Sequence, residues 1–255
     1  VNAVWTIVRV TFLQQVRNKL WLAVLLYAGI MAAASLLFGA VAADAELTVI
    51  LDLGLAAAEL LGLLVAAMGA VTLVLEEMES KTAYLILTRP VPRASYVVGR
   101  FLGLLGAVLG AVALMGLVHV GILMLKGWEP SASYFACYPF MALKVTVVAS
   151  VALFFSLFAT SQASSVSFTA FFWLLGHFGP ELEFLSQKSR SVAAAAGVKA
   201  FLFVLPRLDL LTYRDLLEIP GVAAGPLLAR GAAYAALYTG ACLLLSATLF
   251  SRREF

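Results

Sequence analysis

Long apolar runs, continuous rather than alternating and roughly 20 residues each, constrain this chain more than any other feature. That length fits an α-helix crossing a bilayer, whereas a membrane strand needs about half as many residues with alternating polarity. Lipid offers no partner to backbone N–H and C=O groups, so each crossing segment must satisfy them internally. Composition agrees. Of 255 residues, 63% are hydrophobic and 12% charged, against about half and a quarter in a soluble domain. The sequence therefore predicts an all-α polytopic membrane helix bundle, a single domain over residues 1–255.

Six spans are expected, at about residues 20–41, 53–75, 97–125, 139–160, a fifth running from the Ser161–Ser165 turn to Gly179-Pro180, and 229–250. Residues 1–19 place Arg9, Arg17 and Lys19 among Val4, Trp5, Val8, Phe12, Leu13 and Val16 at helical spacing. They read as an amphipathic helix on the membrane surface, with Trp5 at headgroup depth. The small residues 39–43 resemble a signal-peptide cleavage site, but the apolar run before them is too long for a signal core. Residues 181–228 mix charges with short apolar patches and are broken by Pro206, Pro220 and Pro226, which suits re-entrant or interfacial helices. Arg9, Arg17, Lys19, Lys81, Arg89, Arg93, Arg100, Arg252 and Arg253 fall on one side, which the positive-inside rule makes cytoplasmic. An even number of spans then puts both termini in the cytoplasm.

Several function classes find no support. A net charge of +3 without basic blocks argues against nucleic acid. Cys137 and Cys242 have no metal-ligand spacing and read as small hydrophobes. His119 and His177, near span ends, read as hydrogen-bonded core or interface residues. The Ser161–Ser167 run reads as a tight turn leading into a helix. Gly103, Gly106 and Gly110 suit close helix packing. Arg100 reads as an anchor at the cytoplasmic headgroups, and Lys144 as a side chain that snorkels to the outer surface. Glu59 is the isolated intramembrane acid, a candidate for a substrate path or proton role if it does not lie near the outer interface.

The informative stretch is the polar segment at residues 76–96. Glu77 and Lys81 stand four apart in the order that favours a helix. Tyr84, Leu85, Ile86 and Leu87 give it an apolar surface of the kind that marks a partner site. Pro90 ends the helix, and Arg89-Pro90-Val91-Pro92-Arg93 fixes the exit geometry.

Together with the Arg9/Arg17 amphipathic start, Glu77-Met78-Glu79-Ser80-Lys81-Thr82, Leu87-Thr88-Arg89-Pro90-Val91-Pro92-Arg93 and Tyr96-Val97-Val98-Gly99-Arg100 resemble permease subunits of type-2 ABC exporters. The likeness is nearest to the branch holding the permeases for nitrous-oxide-reductase maturation and gliding motility. The stretch at 205–209 and the Phe250-Ser251-Arg252-Arg253 ending fit the same pattern, so the resemblance spans nearly the whole chain. It implies a multi-pass protein of the cell inner membrane that exports an unidentified substrate. It also implies that residues 76–95 form the coupling helix, seated in a groove of a separate ATPase subunit. Glu77, Glu79, Tyr84, Leu87, Arg89 and Arg93 would then transmit the motion. Two ATPase copies and two permease copies are implied, this chain pairing with itself or a relative. The sequence contains no Gly-x-x-x-x-Gly-Lys-Ser/Thr stretch. ATP and Mg are accordingly expected on the partner ATPase, with no cofactor, metal or catalytic residue here. The rival readings are a non-transporting membrane anchor or assembly subunit of an envelope complex, and a carrier working alone.

Overall fold

The computed structural model describes residues 2–17, 20–41, 46–79, 92–157, 159, 161–188, 192–217 and 223–252. They form nine α-helices: α1 (Asn2–Arg17), α2 (Leu20–Val41), α3 (Glu46–Glu79), α4 (Arg93–Leu125), α5 (Ala132–Ser156), α6 (Gln162–His177), α7 (Gly179–Lys188), α8 (Val192–Val204) and α9 (Ala224–Arg252). Two 3-10 turns, Leu208–Leu211 and Arg214–Leu216, lie between α8 and α9. Among the described residues there is no strand, and five helices (α2, α3, α4, α5 and α9) are long and apolar enough to cross a membrane.

The element boundaries refine the expected ones. α3 starts at Glu46, seven residues before the expected second span, and runs 34 residues without a proline. α5 starts at Ala132, where Ser131 caps it by accepting a hydrogen bond from the Tyr134 N–H. Pro139 and Cys137 therefore lie inside a helix, not at a span entry and in a loop. The stretch expected as the fifth span forms α6, which has 16 residues. That is about 24 Å of helix, followed after Phe178 by α7. At the start of α6, Ser161 and Ser164 make a reciprocal capping box, so the serine run is a turn and a helix start as expected.

α5 is the axis of the bundle. Fifteen of its 25 residues are buried, and α3, α4, α6 and α9 pack around it. The interior holds two large apolar clusters, beside a small third one of Leu20, Ala107 and Ala111. One lies toward α1 and contains Leu73, Val97, Phe101, Leu104, Val145, Val148 and Phe250. The other lies at the far end and contains Tyr27, Met31, Ile50, Leu55, Met115, Tyr134 and Phe140. Large apolar side chains also point outward in number: Trp21, Leu22, Leu25, Leu36 and Leu37 on α2, and Leu237, Leu244 and Leu245 on α9. A soluble monomer seldom exposes apolar patches of that extent, but a bilayer-facing helix must.

α1 mixes polar and apolar residues on both faces. Its buried positions include Thr11 and Gln15, while Trp5, Val10, Phe12 and Leu13 are exposed. It is not free on the surface: it runs beside the first turns of α4, with Ile7 over Gly99 and Val8 and Thr11 over Gly103. Arg100 donates to Thr11 Oγ1 and Gln14 Oε1, both at 3.1 Å. Arg100 thus fastens α1 to α4, where a headgroup anchor was expected. The glycines explain the close approach, since a Cβ at Gly103 would stand 2.6 Å from the Val8 carbonyl oxygen. Gly110, by contrast, has nothing within 4 Å. Gly103→Val is expected to destabilise the protein by about 1–3 kcal/mol through overpacking, read as a lowered unfolding midpoint in detergent. Gly110→Ala should hold or raise the midpoint, because alanine favours helix over glycine.

Candidate functional site

The centre of interest is a charge pair inside the bundle. Lys144 is the middle residue of α5 by position, and it is fully buried. Its Nζ donates to Glu59 Oε1 at 2.6 Å and to Thr212 Oγ1 at 2.7 Å. Thr212 Oγ1 in turn donates to the Leu208 carbonyl at 3.1 Å. Lys144 therefore does not snorkel. Glu59, 16% exposed and about 20 Å along α3 from Glu46, is not at the interface but within the bundle.

The pair sits at the seam between the two large apolar clusters. On α3, Ala58 belongs to the far cluster and Leu63 to the near one. On α5, Met141 belongs to the far cluster and Val145 to the near one. A polar layer therefore crosses an otherwise apolar core at mid-helix. Charges so placed are costly unless paired and hydrogen-bonded, and here each finds its partner.

The third member comes from the 205–217 segment, which enters the bundle as far as the midpoint of α5. Leu205, Leu208, Leu211 and Tyr213 are buried, and the Tyr213 ring stacks on Phe140 with centroids 5.1 Å apart. Gly176 on α6 leaves room for it, since a Cβ there would stand 2.5 Å from the Pro206 carbonyl oxygen. On α9, Tyr234 and Tyr238 share a face at a four-residue spacing. The Arg207 N–H donates to Tyr234 Oη, and Tyr238 Oη donates to the Val204 carbonyl. Arg214 then reaches Asp52 at 3.2 Å, one heptad above Glu59 on α3. Further along, Lys126 after α4 pairs with Glu46 at the start of α3.

A second polar group lies in the far cluster. Tyr27 Oη donates to the Gly54 carbonyl at 3.1 Å. His119 is fully buried, with Nε2 3.2 Å from the Ile50 carbonyl and Nδ1 2.7 Å from Tyr134 Oη. A carbonyl only accepts, so Nε2 holds the proton, Tyr134 donates to Nδ1, and Tyr138 donates to Tyr134 at 2.8 Å. Both ring nitrogens are thereby engaged in holding α3, α4 and α5 together.

A groove of about 230 Å³ between α2 and α3 is lined mainly by leucines, with Gln15, Gly69 and Thr72 supplying its polar atoms and no titratable side chain. Nor do the described residues hold a cluster of metal-ligating side chains.

Of the residues expected to transmit force, Glu77 and Glu79 end α3 and Arg93 starts α4. Tyr84, Leu87 and Arg89 lie outside the described residues. Sequence reasoning singled out Glu59 but missed its partners. The signal was available for one of them: a lone acid in one apolar span and a lone base in another are natural partners. Nothing local marked Thr212, Asp52 or Arg214.

Beyond geometry, a family model described as ABC-2 family transporter protein matches residues 5–255. The chain belongs to the ABC-2 transporter family. As an ABC-2 protein it is a multi-pass membrane component of a transport system, not its catalytic part, and the family implies partnership with an ABC ATPase subunit. No curated protein matches this ABC-2 chain significantly.

Proposed function

We propose that this chain is the membrane-spanning permease subunit of an ATP-driven exporter of the inner membrane, both termini cytoplasmic. The family match over residues 5–255 carries the reading. Nucleotide would bind to a separate ATPase subunit, two copies serving two permeases. In type-2 ABC exporters such as the permeases of nitrous-oxide-reductase maturation and gliding motility, which the sequence resembles, the segment matching 76–95 docks on the ATPase. Here that stretch joins α3 to α4. Force on it would reach α3 directly, and would reach α1 through α4, since Arg100, Gly99 and Gly103 bind α1 to that helix. Closure of the ATPase pair on ATP would then shift the bundle between inward- and outward-open populations. ATP can drive this only by favouring one state over the other.

The experiment is affinity purification in mild detergent, followed by reconstitution with the co-purifying ATPase. Reversing charge at Glu79 and Arg93 (E79K/R93E) should lower permease-dependent stimulation of ATP hydrolysis by about tenfold, within the usual range for coupled sites. Absence of any co-purifying ABC ATPase, or unaltered stimulation in that variant, would count against the exporter. An anchor or assembly subunit would show no nucleotide-dependent conformational change.

A further inference from the structure

We propose that the 205–217 segment is a gate at the end of the bundle opposite α1, and that Glu59, Lys144, Thr212, Asp52 and Arg214 form the latch that keeps it shut. The inference deepens the exporter reading and rests on it for the direction of transport, though the latch itself is argued from contacts alone.

Three observations converge. First, the segment is a plug by position: its first 3-10 turn packs against α5, α6, α7 and α9, Thr212 reaches the midpoint of α5, and its two 3-10 turns are too short to stand alone. Second, besides the tie from Arg207 to Tyr234 on α9, its polar ties at 212–214 lead to α3, one of them by way of α5. Arg214 binds Asp52 of α3 directly, and Thr212 binds Lys144, which binds Glu59 of α3. Asp52 and Glu59 are seven residues apart, so they lie on one face of that helix. Sliding α3 by a single turn, about 5.4 Å, relative to both the segment and α5 separates both pairs together. Third, the pair lies where the two large apolar clusters meet, so the level at which α3 would shift carries a polar layer across the core.

A charge layer of this kind behaves as a two-position device. Pairing is strongly preferred while the groups are in contact, and each charge needs water or a new partner once they part. Opening the plug admits water, which supplies that solvation. The latch thus favours the shut state when the core is dry and resists less once the path is wet. Since α3 ends beside residues 80–92, a pull at that end acts on the latch through one unbroken helix.

The test uses spin labels on genetically encoded non-natural residues at Leu210, in the segment, and Glu129, in the exposed turn after α4. Cys137 and Cys242 stay in place. Distances are measured in lipid nanodiscs. Wild type should show one dominant distance. The neutral variant D52N/E59Q/K144M, which leaves no buried charge unpaired and so avoids the folding defect of a single substitution, should gain a longer distance. That new population should reach at least about a tenth of the molecules, an energy gap near 1.4 kcal/mol or less. The swapped pair E59K/K144E should keep the wild-type distance. A folded neutral variant with the wild-type distribution overturns the latch, as does a swapped pair that opens as far as the neutral one. Adding the ATPase with a non-hydrolysable ATP analogue separates the two ideas. If the neutral variant opens but nucleotide never moves the wild type, the latch stands and the exporter reading falls.

Discussion

Replacing Lys144 alone by methionine should cost about 3–5 kcal/mol of stability, because it strands the Glu59 carboxylate in the core. That is a large share of the roughly 5–15 kcal/mol that holds a typical domain folded. Methionine nearly fills the space of the lysine stem, so a cavity is not the reason. The loss comes from an acid whose principal donor, 2.6 Å away, has gone, and from Thr212, which loses its own donor at the same time. The double variant E59Q/K144M removes both charges and should lie within about 1 kcal/mol of wild type, because the desolvation cost disappears along with the attraction. Unfolding midpoints of the single, the converse single E59Q and the double, measured in one detergent mixture, give the coupling energy. A K144M cost below about 1 kcal/mol would mean that water reaches Glu59 and that the pair does not organise the core.

Gly54→Ala should be nearly as damaging, by about 3–4 kcal/mol, although alanine is the better helix former by about 1 kcal/mol. A Cβ at Gly54 would fall 2.1 Å from His119 Nε2. His119 cannot yield cheaply, since it donates to Ile50 and accepts from Tyr134, which is itself bonded to Tyr138. The Gly54 carbonyl meanwhile accepts from Tyr27. One methyl group therefore opposes a network joining α2, α3, α4 and α5, adding overpacking to lost buried hydrogen bonds. The measurement is the unfolding midpoint of G54A beside that of G110A, whose Cβ meets nothing. Equal midpoints would show that the histidine is free to turn.

The helical character of the chain was legible because the apolar runs are long and lipid permits few alternatives. Boundaries were less so. α3 includes Glu46 and Asp52 within its first two turns, and both look like loop residues until Lys126 and Arg214 are seen to pair with them. α5 contains Pro139 in its second turn, where a proline still reads as a helix start. The polar site was half legible. Glu59 stands out in its run, and Lys144 in another, but their meeting depends on which helices are neighbours, and periodicity is silent on that. Thr212 and Arg214 were hidden more deeply. They belong to a segment whose position is set by a space at Gly176 and by two tyrosines on the last helix, all distant in sequence. Arg100 misled because a cation near a span entry usually serves the headgroups, and only the fold brings Thr11 and Gln14 within its reach.

The length of α3 has a consequence of its own. Thirty-four residues make a rod of about 51 Å, against a hydrocarbon slab of about 30 Å. Containing the rod would require a lean of about 54°, whereas membrane helices lean by about 40° at most. Even at that extreme it traverses about 39 Å, so about 9 Å must lie outside the hydrocarbon, among headgroups or in water. Its termini, glutamate 46 at one and glutamates 76, 77 and 79 at the other, are suited to that exposure. The helix that holds the intramembrane acid therefore reaches past the hydrocarbon like a handle, and a tug applied at that end is felt at mid-membrane without any intervening joint.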